Sequence, residues 1–449
     1  MSTQTHPDIR PGRLNPDEYL RRFSDANPRM TVAQALLEAE RCLYCFDAPC
    51  ASACPTHIDV PSFIRRIADA NLRGAARTIL DSNPMGGMCA RVCPTEVLCE
   101  QVCVRNTQEG KPVAIGRLQR HAVDAVLSES ATALFTRAPS TGKRIAIVGA
   151  GPAGLTCAHT LARLGHTVVM FDARPKAGGL NEYGLATYKT PEGFAQHELA
   201  WLLSIGGIEV RNNWKLASAA QLAALQHEFD AVFLGLGLAG THQLGIPGES
   251  FSGVQDAVDF IAALRQSSDL AALPIGRRVV VIGGGMTAVD AAVQAKLLGA
   301  QKVDMVYRRG AQHMPASQAE QDWAQTRGVT IRHWLAPLEI LGRDGKARAV
   351  RFEHQDLIDG KLTPTGEFEE IEVDMVLKAI GQQMLSSVLA EAGVALTGGR
   401  IATADDGATS LAGIWAGGDC RAGGLDLTVE AVAHGKQSAQ AMHAQLMRA

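Results

Sequence analysis

Lys143-Arg-Ile-Ala-Ile-Val148-Gly149-Ala-Gly151-Pro152-Ala153-Gly154 runs from a short apolar strand through a glycine-rich turn into helix-forming sequence. Gly149 suits the tight turn, Gly151 lets the backbone approach a pyrophosphate, and Gly154 allows a helix to pack closely on the strand. Residues 143–148 are predicted as a strand, 151–164 as a helix and 167–172 as a second strand, which ends in Asp172, a carboxylate suited to a ribose hydroxyl. Strand, turn, helix and acid together make a β-α-β dinucleotide unit. The class expected is α/β.

The same unit returns about 130 residues later as Gly283-Gly-Gly285-Met286-Thr287-Ala288, with alanine in the third glycine position. Its second strand, 302–307, ends in Arg308-Arg309 instead of an acid, and guanidinium groups suit a 2′-phosphate. This copy is read as the NAD(P) site, with Ala379 and Gly381, after strand 374–378, at the return of the chain. A late segment, Ile414-Trp-Ala-Gly-Gly418-Asp419, matches the second FAD motif of two-dinucleotide flavoproteins, and Thr428 would start a helix whose amides point toward the flavin. FAD is therefore assigned to the first copy, with Gly149, Gly151, Pro152, Ala153, Gly154, Asp172, Gly179, Leu180, Gly418, Asp419 and Thr428 as its site.

Eight of the ten cysteines lie before the first fingerprint, as C-x2-C-x4-C-x3-C-P from Cys42 to Pro55 and C-x3-C-x5-C-x3-C from Cys89 to Cys103. Thiolates this close can turn inward on one inorganic cluster. A proline after Cys54 and another after Cys93 stiffen the chain where it leaves, and in two-cluster ferredoxins the cysteine before the proline serves the other cluster. Cys42, Cys45 and Cys50 are thus expected on one [4Fe–4S] cluster with a distant fourth ligand, and Cys54 with Cys93 and Cys99 on the second. Two zinc sites would normally show repeated C-x2-C, which the second group lacks. Disulfides do not suit a chain that starts with a polar Met1-Ser-Thr-Gln-Thr-His-Pro and no apolar leader.

Forty-five glycines against 5% aromatic residues in 449 favour nucleotide-binding turns over a base-stacking surface, and a net charge of −3 leaves no electrostatic footprint for nucleic acid. Apolar runs are broken by glycine well short of the roughly 20 residues of a membrane helix. A cytoplasmic protein is expected, with neither nucleic acid nor membrane as partner. Residues 1–30 read as an irregular arm and 31–137 as a helical cysteine domain. Within the latter, helices are predicted from Thr31 as N-cap toward Arg41, over 61–80 and over 115–127. Residues 138–236 and 383–449 form the two parts of the FAD domain, and 237–382 the NAD(P) domain.

Arg41-Cys-Leu-Tyr-Cys45-Phe-Asp-Ala-Pro-Cys50, Cys54-Pro-Thr, Asn83-Pro-Met-Gly and Cys93-Pro-Thr-Glu-Val-Leu-Cys99 resemble the electron-input half of the dihydropyrimidine dehydrogenase family, over nearly the whole chain after the arm. The resemblance implies Cys42, Cys45, Cys50 and Cys103 on one cluster, and Cys54, Cys93, Cys99 and the amide oxygen of Gln119 on the other. On chemistry alone Cys89 is the better fourth ligand, since thiolate binds iron more strongly than an amide. Lys189 falls near the FAD by the same comparison, at a position where the family usually has arginine.

Long-chain members continue into an FMN barrel and a ferredoxin-like module, whereas this sequence stops after the FAD domain. It is expected to be a separate electron-input subunit. NAD(P)H would reduce FAD, and electrons would pass through the clusters to an FMN/Fe–S subunit that reduces uracil or thymine, in a heterotetramer. No residue of this subunit is expected to act as acid or base on the pyrimidine. The alternatives are a glutamate synthase small subunit, which shares the architecture, and a non-catalytic redox scaffold, which would have no need of a second nucleotide fold.

Overall fold

The structure is a computed structural model that describes residues 14–127 and 133–448. It divides into two compact units. One comprises residues 27–182, 192–240 and 383–449, and the other residues 1–26, 183–191 and 241–382.

The first unit begins with the helical cysteine module. Thr31 caps the helix Val32–Ala39 through a capping box with Gln34. The helix expected over 61–80 is two helices, Val60–Ala68 and Leu72–Ser82. Ala70 takes a left-handed φ of 56°, and the Asn71 side chain accepts from the Gly74 N–H at 2.8 Å. Asparagine at an N-cap satisfies an orphan amide that a continuous helix would leave to the backbone, so the chain restarts there. Helix Ile115–Leu127 buries Leu118, Ala122 and Val123 against Phe63, Ile64 and Ile79.

A parallel five-stranded sheet follows in the same unit, ordered Ile414–Ala416, Ala231–Leu234, Arg144–Val148, Thr167–Phe171, Ile208–Arg211. Helices Pro152–Arg163 and Thr428–Leu446 pack together on this sheet. Gly435 makes the crossing possible, since a Cβ there would lie 2.2 Å from the Ala153 carbonyl oxygen.

The second unit carries a second parallel sheet, ordered Val254–Asp256, Met375–Lys378, Arg278–Ile282, Lys302–Tyr307, Thr330–His333. It also carries an antiparallel sheet of Leu335–Arg343, Lys346–Ile358 and Lys361–Glu372 that the sequence reading did not anticipate. Of the expected irregular arm, residues 1–13 lie outside the described residues, and Pro16–Arg22 is a helix. Asn15 caps it, and its Tyr19, with the following Phe23, enters the core of the second unit. Both parallel sheets follow the doubly wound α/β pattern expected of two dinucleotide folds. Among the described residues no helix is long and apolar enough to cross a membrane.

Candidate functional site

The eight N-terminal thiols fall into two neighbourhoods. Burial pushes the Cys42 thiol up, and Cys45 and Cys103 add like-charge repulsion. Burial, then Cys103 and Cys42, push Cys50 to about 12. Cys42, Cys45, Cys50 and Cys103 line one cavity, whose other walls include Val60, Ile64, Val113 and Ile115. The second neighbourhood centres on Cys93, whose thiol is held up by a hydrogen bond to Cys89, by burial, and by repulsion from Cys89, Cys54 and Cys99. Burial also raises Cys99, with Glu100 and Cys54 adding to it. Neutral thiols crowded in an apolar wall gain only from a cation that draws off their protons, and iron does that. All ten cysteines are free. Among the described residues no three His, Cys, Asp or Glu side chains converge on a point close enough for a single metal ion.

Gln119 is buried, and its Nε2 donates to the Gly86 carbonyl at 2.7 Å. The Oε1 has no hydrogen bond among the described residues. The same segment holds Cys89, one helical turn before Cys93 in Gly86–Val92. Gln119 is thus tied to the start of the helix Gly86–Val92, whose far end leads into Cys93, and Cys89 lies beside Cys93 itself. The amide presents an oxygen with its nitrogen already committed, and the thiol presents a sulfur that is hydrogen-bonded to the Cys93 thiol.

At the first fingerprint Gly149 has φ +101°, and a Cβ there would meet the Gly235 oxygen at 2.1 Å; one on Gly154 would meet the Gly149 oxygen at 1.9 Å. Gly151 has only the Gly179 Cα nearby, at 3.7 Å, which leaves an open backbone cradle at the start of the helix Pro152–Arg163 that begins with Pro152 and Ala153. Asp172 accepts from the Ala150 and Arg174 N–H groups at 2.7 and 2.8 Å, so it shapes the turn and keeps lone pairs for a ribose. Strand Ile414–Ala416 delivers Gly418 and Asp419 beside this turn. Burial, then Asp426, raise the Asp419 carboxyl to about 7, against the pull of Arg400. Leu180 and Thr428 border the same edge, where Thr428 Oγ1 donates to Asn181 Oδ1 at 3.0 Å. These glycine cradles and helix N-termini suit a dinucleotide.

In the second unit Gly283 has φ +149°, and a Cβ would strike the Ala379 oxygen at 2.2 Å. Gly285 has nothing within 4 Å, an open approach at the start of the helix Met286–Leu297 that contains Met286, Thr287 and Ala288. Gly381 follows in the strand-end loop and accepts from the His242 N–H. Arg308 and Arg309 end strand Lys302–Tyr307, exposed, and neither guanidinium has a partner among the described residues. Lys189 is held within this unit, its ammonium 2.8 Å from Asp290 and 2.7 Å from Glu320. Tyr188 donates to the same Asp290, one turn into the fingerprint helix. Sequence reasoning missed Asp290 and Glu320; an acid inside the otherwise apolar Met286-Thr-Ala-Val-Asp290-Ala-Ala-Val was the available signal.

Residues 143–435 match the pyridine nucleotide-disulphide oxidoreductase family, and residues 19–131 match dihydropyrimidine dehydrogenase domain II, 4Fe-4S cluster. The NAD-dependent dihydropyrimidine dehydrogenase subunit PreT of Salmonella typhimurium is 34% identical over 94% of this chain and 96% of its own length. The glutamate synthase [NADPH] small chain of Escherichia coli K12 is 32% identical over 93% of this chain and 92% of its own. FprA of Mycobacterium tuberculosis, solved in complex with NADPH, has the same fold over 69% of this chain and 85% of its own, with a TM-score of 0.57 at 20% identity.

Proposed function

Because this chain belongs to the pyridine nucleotide-disulphide oxidoreductase family, with a dihydropyrimidine dehydrogenase 4Fe-4S domain ahead of it, we propose that it is the electron-input subunit of a dihydropyrimidine dehydrogenase. It is an oxidoreductase that uses FAD, NAD(P)H and [4Fe–4S] chemistry. Its partner in this reading is an FMN/Fe–S subunit that reduces uracil or thymine to the 5,6-dihydropyrimidine.

The observation that carries the reading is the sorting of thiols into two neighbourhoods within the unit that holds the first dinucleotide fold. FAD, when bound, supplies the conversion between two-electron hydride chemistry and one-electron transfer. The chain's residues bind and orient. Gly149, Gly151, Gly154 and Asp172 hold one dinucleotide, with Asp419 and Thr428 at its far end. Gly283, Gly285 and the helix from Met286 hold the other. Cys42, Cys45, Cys50 and Cys103 would hold one cluster; Cys54, Cys93, Cys99 and Gln119 the second. The unpartnered Arg308 and Arg309 favour NADPH, and that observation keeps a glutamate synthase-type partner as the second reading.

Purification from its native cells with any bound chain, followed by assay, tests the proposal. The complex is expected to oxidise NAD(P)H in a uracil- or thymine-dependent way, and the isolated chain to reduce only dyes. Uracil reduction by the isolated chain, or a partner that consumes glutamine and 2-oxoglutarate, overturns it.

A further inference from the structure

The tripeptide Cys-Pro-Thr occurs twice in the cysteine module, at Cys54-Pro55-Thr56 and Cys93-Pro94-Thr95, and the chain turns differently after each. The Cys54 carbonyl accepts the His57 N–H at 2.8 Å, which closes a β-turn with Pro55 at the position that proline pre-sets. That turn folds Thr56 back onto the cysteine before it. Its Oγ1 lies 3.2 Å from Cys54 Sγ. Thr56 is only 7% exposed, and its hydroxyl has no other hydrogen bond among the described residues. After Cys93 the chain instead enters a single turn of 3₁₀ helix, Thr95–Val97, and the Thr95 side chain bonds to the Glu100 carboxylate. The same three residues thus serve two different ends.

Ligation fixes the direction of the Thr56 contact. Cys54 lies close enough to Cys93 and Cys99 for its charge to bear on both thiols, which places it in the second neighbourhood. A cysteine bound to iron has given up its proton, so its sulfur can only accept, and the hydroxyl is the one partner with a proton to offer. Reduction of a cluster adds negative charge that its ligand sulfurs share. A donor at such a sulfur therefore holds the reduced state more strongly than the oxidised one, and hydrogen bonds to sulfur are among the features that set a cluster's potential.

We propose that the Thr56 hydroxyl donates a hydrogen bond to Cys54 Sγ and thereby raises the reduction potential of the second cluster, a role that its counterpart Thr95 does not share. This rests on the reading of Cys54 as a ligand of that cluster. Thr56 is a positioning residue, because its hydroxyl touches the ligand sulfur and nothing else. In a series of one-electron carriers, a higher potential lets this cluster draw electrons more completely from its donor.

The test begins with the iron content and EPR spectrum of the reduced wild-type chain; a chain without iron, or with zinc in its place, would sink the cluster reading itself, separately from Thr56. Thr56→Val keeps the volume and removes the donor, whereas Thr56→Ser keeps the donor. In a potentiometric titration followed by EPR, Thr56→Val is expected to retain wild-type iron and to lower the reduced-to-oxidised ratio of one cluster about fivefold at a fixed potential. The other cluster should not move, and the signal that moves should be the one that Cys93→Ser alters or removes. Thr56→Ser is expected to titrate as the wild type does. Wild-type potentials in the valine variant overturn the proposal, as does a shift that the serine variant shares or one confined to the signal that Cys93→Ser leaves intact. If Thr56→Val does not assemble its clusters, Thr56→Ala and Thr56→Ser decide instead: both lose the methyl group, so equal potentials in the two overturn the proposal.

Discussion

Gly86 orients the Gln119 amide, and Cys89 sits one turn from Cys93, so the second thiol neighbourhood offers two candidate fourth ligands with different signatures. If the amide ligates, Gln119→Ala is expected to alter or abolish one cluster's EPR signal while Cys89→Ser leaves two assembled clusters. The reverse pattern would give the position to the thiol. At the second fingerprint, Arg308→Ala is expected to weaken NADPH by about 1.5–3 kcal/mol, the range of a charged hydrogen bond, with NADH almost unchanged; equal titration curves for both cofactors would return Arg308 to solvent. His159 supplies a pH test. Burial lowers its imidazole to about 4, below the roughly 6.5 of an unfolded histidine. The unfolded chain therefore binds more protons between those values, and stability that is full above pH 6.5 is lost as pH falls toward 4. His159→Phe should make that acid limb of the melting temperature shallower without abolishing it, because His166 and His434 are lowered to about 4 as well. Thiols and glycines could be read from spacing, which is a chain-local property. Asp290 showed only as an acid in an apolar helix, and Glu320 showed nothing, because an acid acquires meaning from the partner that folding brings to it, here Lys189.

Two Asp-Gly pairs, Asp344-Gly345 and Asp359-Gly360, close the hairpins of the antiparallel sheet, and all four residues have φ between 50 and 73°. That is the two-residue turn matched to strand twist, and it was legible. The β-α-β pattern on either side masks it, since the hairpins are inserted between strands of the second parallel sheet. The break at Ala70 was harder, since Asp69-Ala70-Asn71 interrupts no apolar stripe and only the cap geometry at Asn71 stops the helix. The helix Pro16–Arg22 was concealed by its polar composition, with Tyr19 as its one buried side chain. Helix contact at Gly435 is testable. Gly435→Val places atoms into the Ala153 carbonyl and is expected to cost at least about 1–3 kcal/mol and reduce FAD content, with iron retained; full flavin loading would mean the helices can separate there. Lys189→Met strands Asp290 and Glu320 without their cation, and urea unfolding should show a loss of about 3–5 kcal/mol. An unchanged midpoint would mean that the ammonium contributes nothing net.

For the whole molecule, the reading of two four-iron sites and one FAD predicts about eight irons and one flavin per chain, a ratio that metal analysis and flavin release check directly. Four irons, or zinc in their place, would leave one thiol neighbourhood without its cluster. Both dinucleotide folds were visible in the sequence because each repeats a local pattern. Their interleaving is different, for strand Ile414–Ala416 completes a sheet whose neighbouring strand, Ala231–Leu234, ends roughly 180 residues earlier. At a ribosomal pace of about 5–20 residues per second, that neighbour waits on the order of 10–40 s for its edge to be covered. An entire nucleotide fold is synthesised in the interval, while Val232 and Phe233 lie beside an open row of amides and carbonyls. The nascent chain is thus most exposed to strand-pairing with its neighbours on a polysome before the last forty residues emerge, and slow decoding late in the message would lengthen that window without altering a single contact of the finished protein.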